Sequence, residues 1–261
     1  MSAGRGGAGA AAASTGSVPV ARVIGGGRAG GSLAGALAGV GWTVRPFLGR
    51  DDDPSGAAAD VDLVVIATPD AAIAEVAARI RPVATTVVAH VAGSLGLDVL
   101  APHERRGALH PLVSMPDAEI GALRLREGAW FAVAGDPLMR RIVDLLGGRA
   151  FEVADAERDL YHATAVVASN HLVALMGQVE RLADRIGVPF DAYLALARRT
   201  LDNVEALGPA AALTGPAARG EEATLRRHLA ALEALDPSER AAYEAMADQA
   251  RRLAGLRAHR P

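Results

Sequence analysis

The chain has 261 residues, a net charge of −3 and no cysteine, which excludes disulfide frameworks, thiolate nucleophiles and cysteine-ligated zinc while leaving enough chain to bury a sizeable core. All 27 basic residues are arginine, so Schiff-base chemistry and a lysine general acid are excluded as well. The arginine pairs lie scattered among acids rather than in a stripe, which argues against nucleic acid as a partner. The most apolar run, 163–176, is interrupted by Ser169, Asn170 and His171 and falls short of the roughly 20 apolar residues of a membrane span. A soluble, cytoplasmic protein is expected.

Residues 1–17 are small and Gly/Ala-rich and read as a disordered tail. From 18 to 155, near-continuous apolar runs at 20–24, 43–47, 62–67, 86–91 and 130–133 alternate with Ala/Leu-rich helical stretches, the pattern of strands buried on both faces of a parallel sheet. A doubly wound, Rossmann-like α/β domain is predicted. From 156 to 257 the texture is helical only. One long helix is expected over 156–186 with Asp155 as N-cap and Gly187 as stop. A second opens at Pro189 and ends before Gly208-Pro209, a third runs over 221–235, and a last one from the capping-box-like Asp236-Pro237-Ser238-Glu239 to about 256.

The first strand runs into Gly25-Gly26-Gly27-Arg28-Ala29-Gly30, a G-x-G-x-x-G turn that opens a helical stretch at 32–40. In a glycine-rich chain the motif alone is weak, but strand, tight turn and helix are the context a pyrophosphate-binding loop needs. Gly25, Gly27, Ala29 and Gly30 are therefore candidate cofactor contacts, with Arg28 beside them. About 20 residues on, where an acid would bind the ribose hydroxyls of NAD, stands Arg50, whose guanidinium suits the 2′-phosphate of NADP. Asp51 to Asp53 follow at once, so NAD stays open as the lesser alternative. A methyltransferase using the same loop fits the spacing and the helical second half less well.

At the other strand ends, Thr68 is placed to touch the cofactor ribose and Asp70 reads as a helix cap. Ser94 follows the fourth strand as a candidate substrate contact. His110, before Pro111, is either a structural histidine or a proton donor near neutral pH; His90 reads as structural. On the long helix His162, Val166, Ser169, Asn170 and Val173 fall on one face at helical spacing. His162, Ser169 and Asn170 there are either paired with one another and backbone or turned to a ligand. No metal-ligand spacing is seen.

The segments VIGGGRAGGSLA, VDLVVIATPD, HVAGSLGLDVL, GALHPLVSMP, YHATAVVASNHLVAL and ALTGPAARGE resemble those of predicted NADP-dependent oxidoreductases that join a Rossmann-like domain to a helical C-terminal domain of unknown function. The architecture is similar to ketopantoate reductases and pyrroline-5-carboxylate reductases. The resemblance implies NADPH-dependent reduction of a small 2-oxo acid or related carbonyl, with ketopantoate as the concrete candidate and a homodimer built on the helical domain. Alternatives are a pyrroline-5-carboxylate-type imine reductase and a non-catalytic NADP sensor. Related hydroxyacid enzymes place a lysine four residues before an asparagine; with Asn170 as that asparagine, Val166 stands at the lysine position. The resemblance therefore leaves His110 or His162 as proton donor, Asn170 to orient the substrate oxygen, and Arg219 for a substrate carboxylate. For Arg219 an ion pair with Glu221 or Glu222 is the competing role.

Overall fold

The computed structural model describes residues 18–258; the tail assigned to 1–17 lies outside them. Seven strands, β1 Val20–Ile24, β2 Thr43–Val44, β3 Leu63–Ile66, β4 Val87–His90, β5 Arg106–Pro111, β6 Trp130–Gly135 and β7 Arg149–Phe151, form one sheet in the order β2-β1-β3-β4-β5-β6-β7. Every neighbouring pair is parallel except β5 with β6. The sheet is thus parallel as expected, with one antiparallel pair that the sequence pattern does not announce. The chain leaves β5, forms the short helix Ala118–Arg124 packed on the first helix, and re-enters the sheet from the same edge.

Four helices flank the sheet: α1 Arg28–Gly39, α2 Ile73–Arg79, α3 Ala118–Arg124 and α4 Leu138–Leu145. Consecutive strand residues point to opposite faces, and both faces are covered. Val23 and Val65 pack with Leu33 and Leu37 of α1 and Ile142 of α4, whereas Ile24, Val64 and Ile66 pack with Ile73 and Ala77 of α2. That double cover is why the strands read as unbroken apolar runs. The α1–α3 crossing accounts for two glycines of α1: a Cβ on Gly31 would lie 2.8 Å from Cβ of Ala118, and one on Gly35 3.0 Å from Cβ of Ala122.

After β7 the chain is helical: α5 Arg158–Val166, a π-helical turn Val167–His171, α6 Leu172–Ile186, α7 Phe190–Leu207, α8 Pro209–Ala212, α9 Pro216–Arg219, α10 Glu222–Leu235 and α11 Pro237–Ala258. By compactness the chain divides into units Met1–Ser169 and Asn170–Pro261, so α5 counts with the sheet. Two cap expectations are corrected. Asp155 accepts from Arg158 Nε at 2.6 Å instead of capping. Asp236 does accept the Ser238 N–H at 2.9 Å at the start of α11, but Glu239 does not close the box, because its carboxylate takes both Nε and Nη2 of Arg181 on α6 (2.6 and 3.1 Å). Left-handed Gly187 does end α6, at φ +69°.

Candidate functional site

The strand order reverses direction of growth at β1, whose neighbours are β2 and β3, so a crevice opens beyond the carboxyl ends of β1 and β3. The glycine turn sits there. Gly25 has φ +99°, and a Cβ on it would come within 2.6 Å of the Ala67 carbonyl oxygen. A Cβ on Gly30 would collide with the Gly25 carbonyl, so strand and helix close up only with glycine at both places. At Gly27 a side chain would meet nothing within 4 Å. Gly27 is also the N-cap of α1, with no side chain capping it and no acid in the first turn. The first amides of a twelve-residue helix, including that of Ala29, thus lead out of an open glycine turn, an arrangement suited to an anion. Arg28 is exposed at the first turn. Beside the turn, buried Oγ1 of Thr68 has no hydrogen-bond partner, an unmet cost that a ligand hydroxyl would relieve.

β2 is shorter than predicted, but its path continues: Leu48 bridges Ile24, and Gly25 N–H donates to the Leu48 carbonyl at 2.9 Å. Arg50 stands two residues beyond that bridge, exposed. Of the acids after it, Asp52 accepts the Gly49 N–H at 2.7 Å, and Asp53 accepts the N–H and hydroxyl of Ser55 (3.0 and 2.7 Å).

Ile24, Ile66, His90 and Ala108 form one cross-strand row over β1, β3, β4 and β5, which puts His110 two residues past the row on the same edge. His90 is fully buried, accepts the Ala92 N–H at Nδ1 and pairs through Nε2 with the Gly96 carbonyl (both 3.2 Å). Its role is structural, as expected. Half-buried His110 places Nδ1 2.6 Å from the Tyr161 hydroxyl, and its ring meets Tyr161 and His162 edge-on at 5.5 and 5.9 Å. Gly93, after β4, lies against both histidines: a Cβ there would be 3.0 Å from His110 Nε2 and from His162 Cδ2. Asp70 does not cap α2. Its carboxylate accepts from Ser94 Oγ at 3.0 Å, fixing Ser94 at the same strand edge.

Burial, reinforced by neighbouring His162, His90 and Arg158 against the opposing pull of Asp70, lowers His110 to about 4. The expectation of a ring titrating near neutral pH is thereby corrected: His110 is uncharged at pH 7 and acts as a neutral N–H or bare nitrogen. Burial also pushes Tyr161 up to about 12. Tyr161, Gly93 and Arg158, the last only 3% exposed, were not picked out by sequence reasoning. Tyr161 adjoins His162, but nothing local ties it to a histidine 51 residues earlier.

The single face expected for His162, Ser169 and Asn170 is not a regular α-helical one, because Val167–His171 is a π turn, where the 3.6-residue period fails. Ser169 is exposed and donates to the Ala165 carbonyl at 2.8 Å; Asn170 is the first residue of the second unit. Arg219 donates from Nε and Nη2 to the Glu221 carboxylate (2.6 and 3.1 Å), the competing ion-pair role. Among the described residues no cluster of His, Cys, Asp or Glu suits a metal, and no helix is long and apolar enough to cross a membrane.

Residues 131–250 match the family model described as a domain of unknown function, DUF2520, and residues 51–116 match that of a Rossmann-like domain. These two matches, a Rossmann-like segment followed by a DUF2520 segment, are the combination that the motifs of the chain resemble. No curated protein matches the sequence. Among solved structures, a candidate NADP oxidoreductase from Bacteroides fragilis is similar with a TM-score of 0.74 and 22% identity, over 90% of this chain and 98% of that one. Protein TM1727 from Thermotoga maritima gives 0.68 and 21%, over 90% and 98%. NADP-bound pyrroline carboxylate reductase from Plasmodium falciparum gives 0.59 and 14%, over 91% and 98%. At these identities the likeness is one of fold.

Proposed function

We propose that the chain is an NADPH-dependent reductase of a small 2-oxo acid or related carbonyl, with ketopantoate as the first substrate to try. The observation that carries this reading is the glycine turn at the β1/β3 switch point. Tight backbone at Gly25 and Gly30, open space at Gly27, the uncapped start of α1 and the unpaired hydroxyl of Thr68 converge where a dinucleotide needs room and donors. In this reading the amides of Gly25, Gly27, Ala29 and Gly30 hold the pyrophosphate with Arg28 alongside, and Thr68 meets the ribose. Arg50 takes the 2′-phosphate. Asp52 and Asp53 support NADP over NAD by spending their carboxylates on the local turn.

When bound, the cofactor supplies a hydride to the substrate carbon. His110 and His162 are the proposed donors to the substrate heteroatom, with Asn170 orienting it and Ser94 and Ser169 as polar contacts. The neutrality of His110 favours a hydrogen-bond donor that polarises the carbonyl rather than an imidazolium acid. The bidentate pair with Glu221 favours the ion-pair role for Arg219.

A cyclic imine of the pyrroline-5-carboxylate kind is a second substrate class. It is supported by the pyrroline carboxylate reductase neighbour and by a reductive aminase from Aspergillus terreus in complex with NADPH4, with a TM-score of 0.60 and 16% identity. A protonated imine brings its own proton, which suits a chain without lysine. The test is titration of nicotinamide fluorescence with NADPH and NADH, followed by turnover with ketopantoate and pyrroline-5-carboxylate. Saturable NADPH binding with turnover of either substrate is expected. No binding of either nucleotide would overturn the reading, and binding without any turnover would leave a sensor.

A further inference from the structure

We propose that Tyr161 sets the tautomer of His110: its phenol O–H donates to Nδ1, so that the ring proton sits on Nε2, at the Gly93 end of β4, as the donor to the substrate heteroatom. The donation to Nδ1 rests on geometry alone; its use in catalysis rests on the reductase reading.

The direction of the bond follows from its partners. At 2.6 Å the contact is short. A phenol O–H is a strong donor and a neutral imidazole nitrogen a strong acceptor, whereas a phenol oxygen accepts weakly. The reverse bond would leave the phenol proton without any partner described for it. Both rings are held in place. Tyr161 packs edge-on against Phe151 of β7 at 5.8 Å as well as against His110, and His162 and Gly93 confine His110 from α5 and the β4 end. The charged and titratable groups around His110 are His162, Asp70, His90 and Arg158. Burial keeps both partners neutral through the physiological range, with His110 lowered to about 4 and Tyr161 raised to about 12.

With NADPH bound, the cofactor would supply the hydride for the new C–H bond, and the carbonyl π pair would move to oxygen. That oxygen would take the proton from Nε2 while Nδ1 takes the phenol proton, leaving Tyr161 as phenolate. After product release, water returns a proton to Nε2 and the Nδ1 proton goes back to the phenolate. A lysine is not required. Tyr161 never touches the substrate in this scheme, so it is a positioning residue acting through His110.

Two readouts test this on the full chain. In protein labelled with 15N-histidine, with His110 assigned by comparison with His110→Gln, Nδ1 is expected in the range of a bare nitrogen and Nε2 in that of a protonated one at pH 7. In Tyr161→Phe that preference should relax. A protonated Nδ1 in the parent protein, or shifts unmoved by Tyr161→Phe, would overturn the assignment whether or not any substrate is known. With ketopantoate or pyrroline-5-carboxylate as substrate, Tyr161→Phe should lower kcat about 10²-fold with NADPH affinity within twofold. Unchanged kcat would overturn the catalytic part. Failure of the parent protein to bind NADPH would instead overturn the reductase reading, and the NMR result would still decide the hydrogen bond.

Discussion

The two units of the chain treat their apolar residues in opposite ways. In the sheet unit, strands and flanking helices bury Leu33, Leu37, Leu63, Ile66, Phe131 and Ile142 almost completely. In the helical unit, only Ala183, Leu225 and Ala247 are buried among the described apolar residues, while Val173, Ile186, Leu196, Leu201 and Leu207 are half exposed or more. A groove of about 370 Å³ between α6 and α7 is lined by Leu172, Met176, Val179 and Leu194. Large aliphatic side chains left exposed on one chain are surface that the homodimer expected from the resemblance would cover. The sheet unit carries the polar strand edge on a well-buried core, with Leu145, Leu160 and Val167 left more than half exposed outside it.

The largest expected effect breaks this contrast directly. Leu33→Ala, in the sheet core, should cost about 2–5 kcal/mol in denaturant unfolding. Leu201→Ala, 52% exposed, should change monomer stability by under about 0.5 kcal/mol yet weaken self-association in sedimentation; unchanged association would remove Leu201 from the proposed interface. Acid should also act on the sheet unit. His110 is lowered to about 4 from 6.5, so below pH 6.5 the unfolded chain binds a proton that the native ring refuses. Stability should therefore fall between about pH 6.5 and 4, by up to about 3 kcal/mol, and a His110→Gln variant should lose that part of the slope.

Smaller effects sharpen the assignment of each unit's arginines. Arg50→Ala should weaken NADPH binding roughly tenfold, as expected for one charged hydrogen-bonded contact, and leave NADH affinity unchanged. Equal losses for both nucleotides would take Arg50 away from the 2′-phosphate. Arg219→Ala, which removes an exposed ion pair in the helical unit, should shift stability by less than about 1 kcal/mol. A large rise in KM for a carboxylate substrate would restore Arg219 to the substrate role.

Much of the sheet unit was legible because its signals are local. Strand, glycine turn and helix lie within twenty residues, and the steric reasons for Gly25 and Gly30 follow from that turn. Four of the five predicted strands appear close to their expected span, and the second is shortened to Thr43–Val44. Short β7 and the helices α3 and α4 gave too brief a pattern to stand out. Asp70 misled because a carboxylate at a helix start is usually a cap, whereas here the hydroxyl of Ser94, 24 residues away, competes for it.

By itself, then, the sequence determined the alternation of buried strands and helices, the position of the phosphate-type turn, the change to an all-helical second half and the exclusion of lysine and cysteine chemistry. Each depends on residue type and short spacing. Only the tertiary structure decided the antiparallel β6, the π turn that breaks the expected helix face, and the meeting of Gly93, His110, Tyr161 and His162. The last also fixed the charge state of His110, since burial and partners far apart in sequence move an ionisation that composition leaves at its ordinary value.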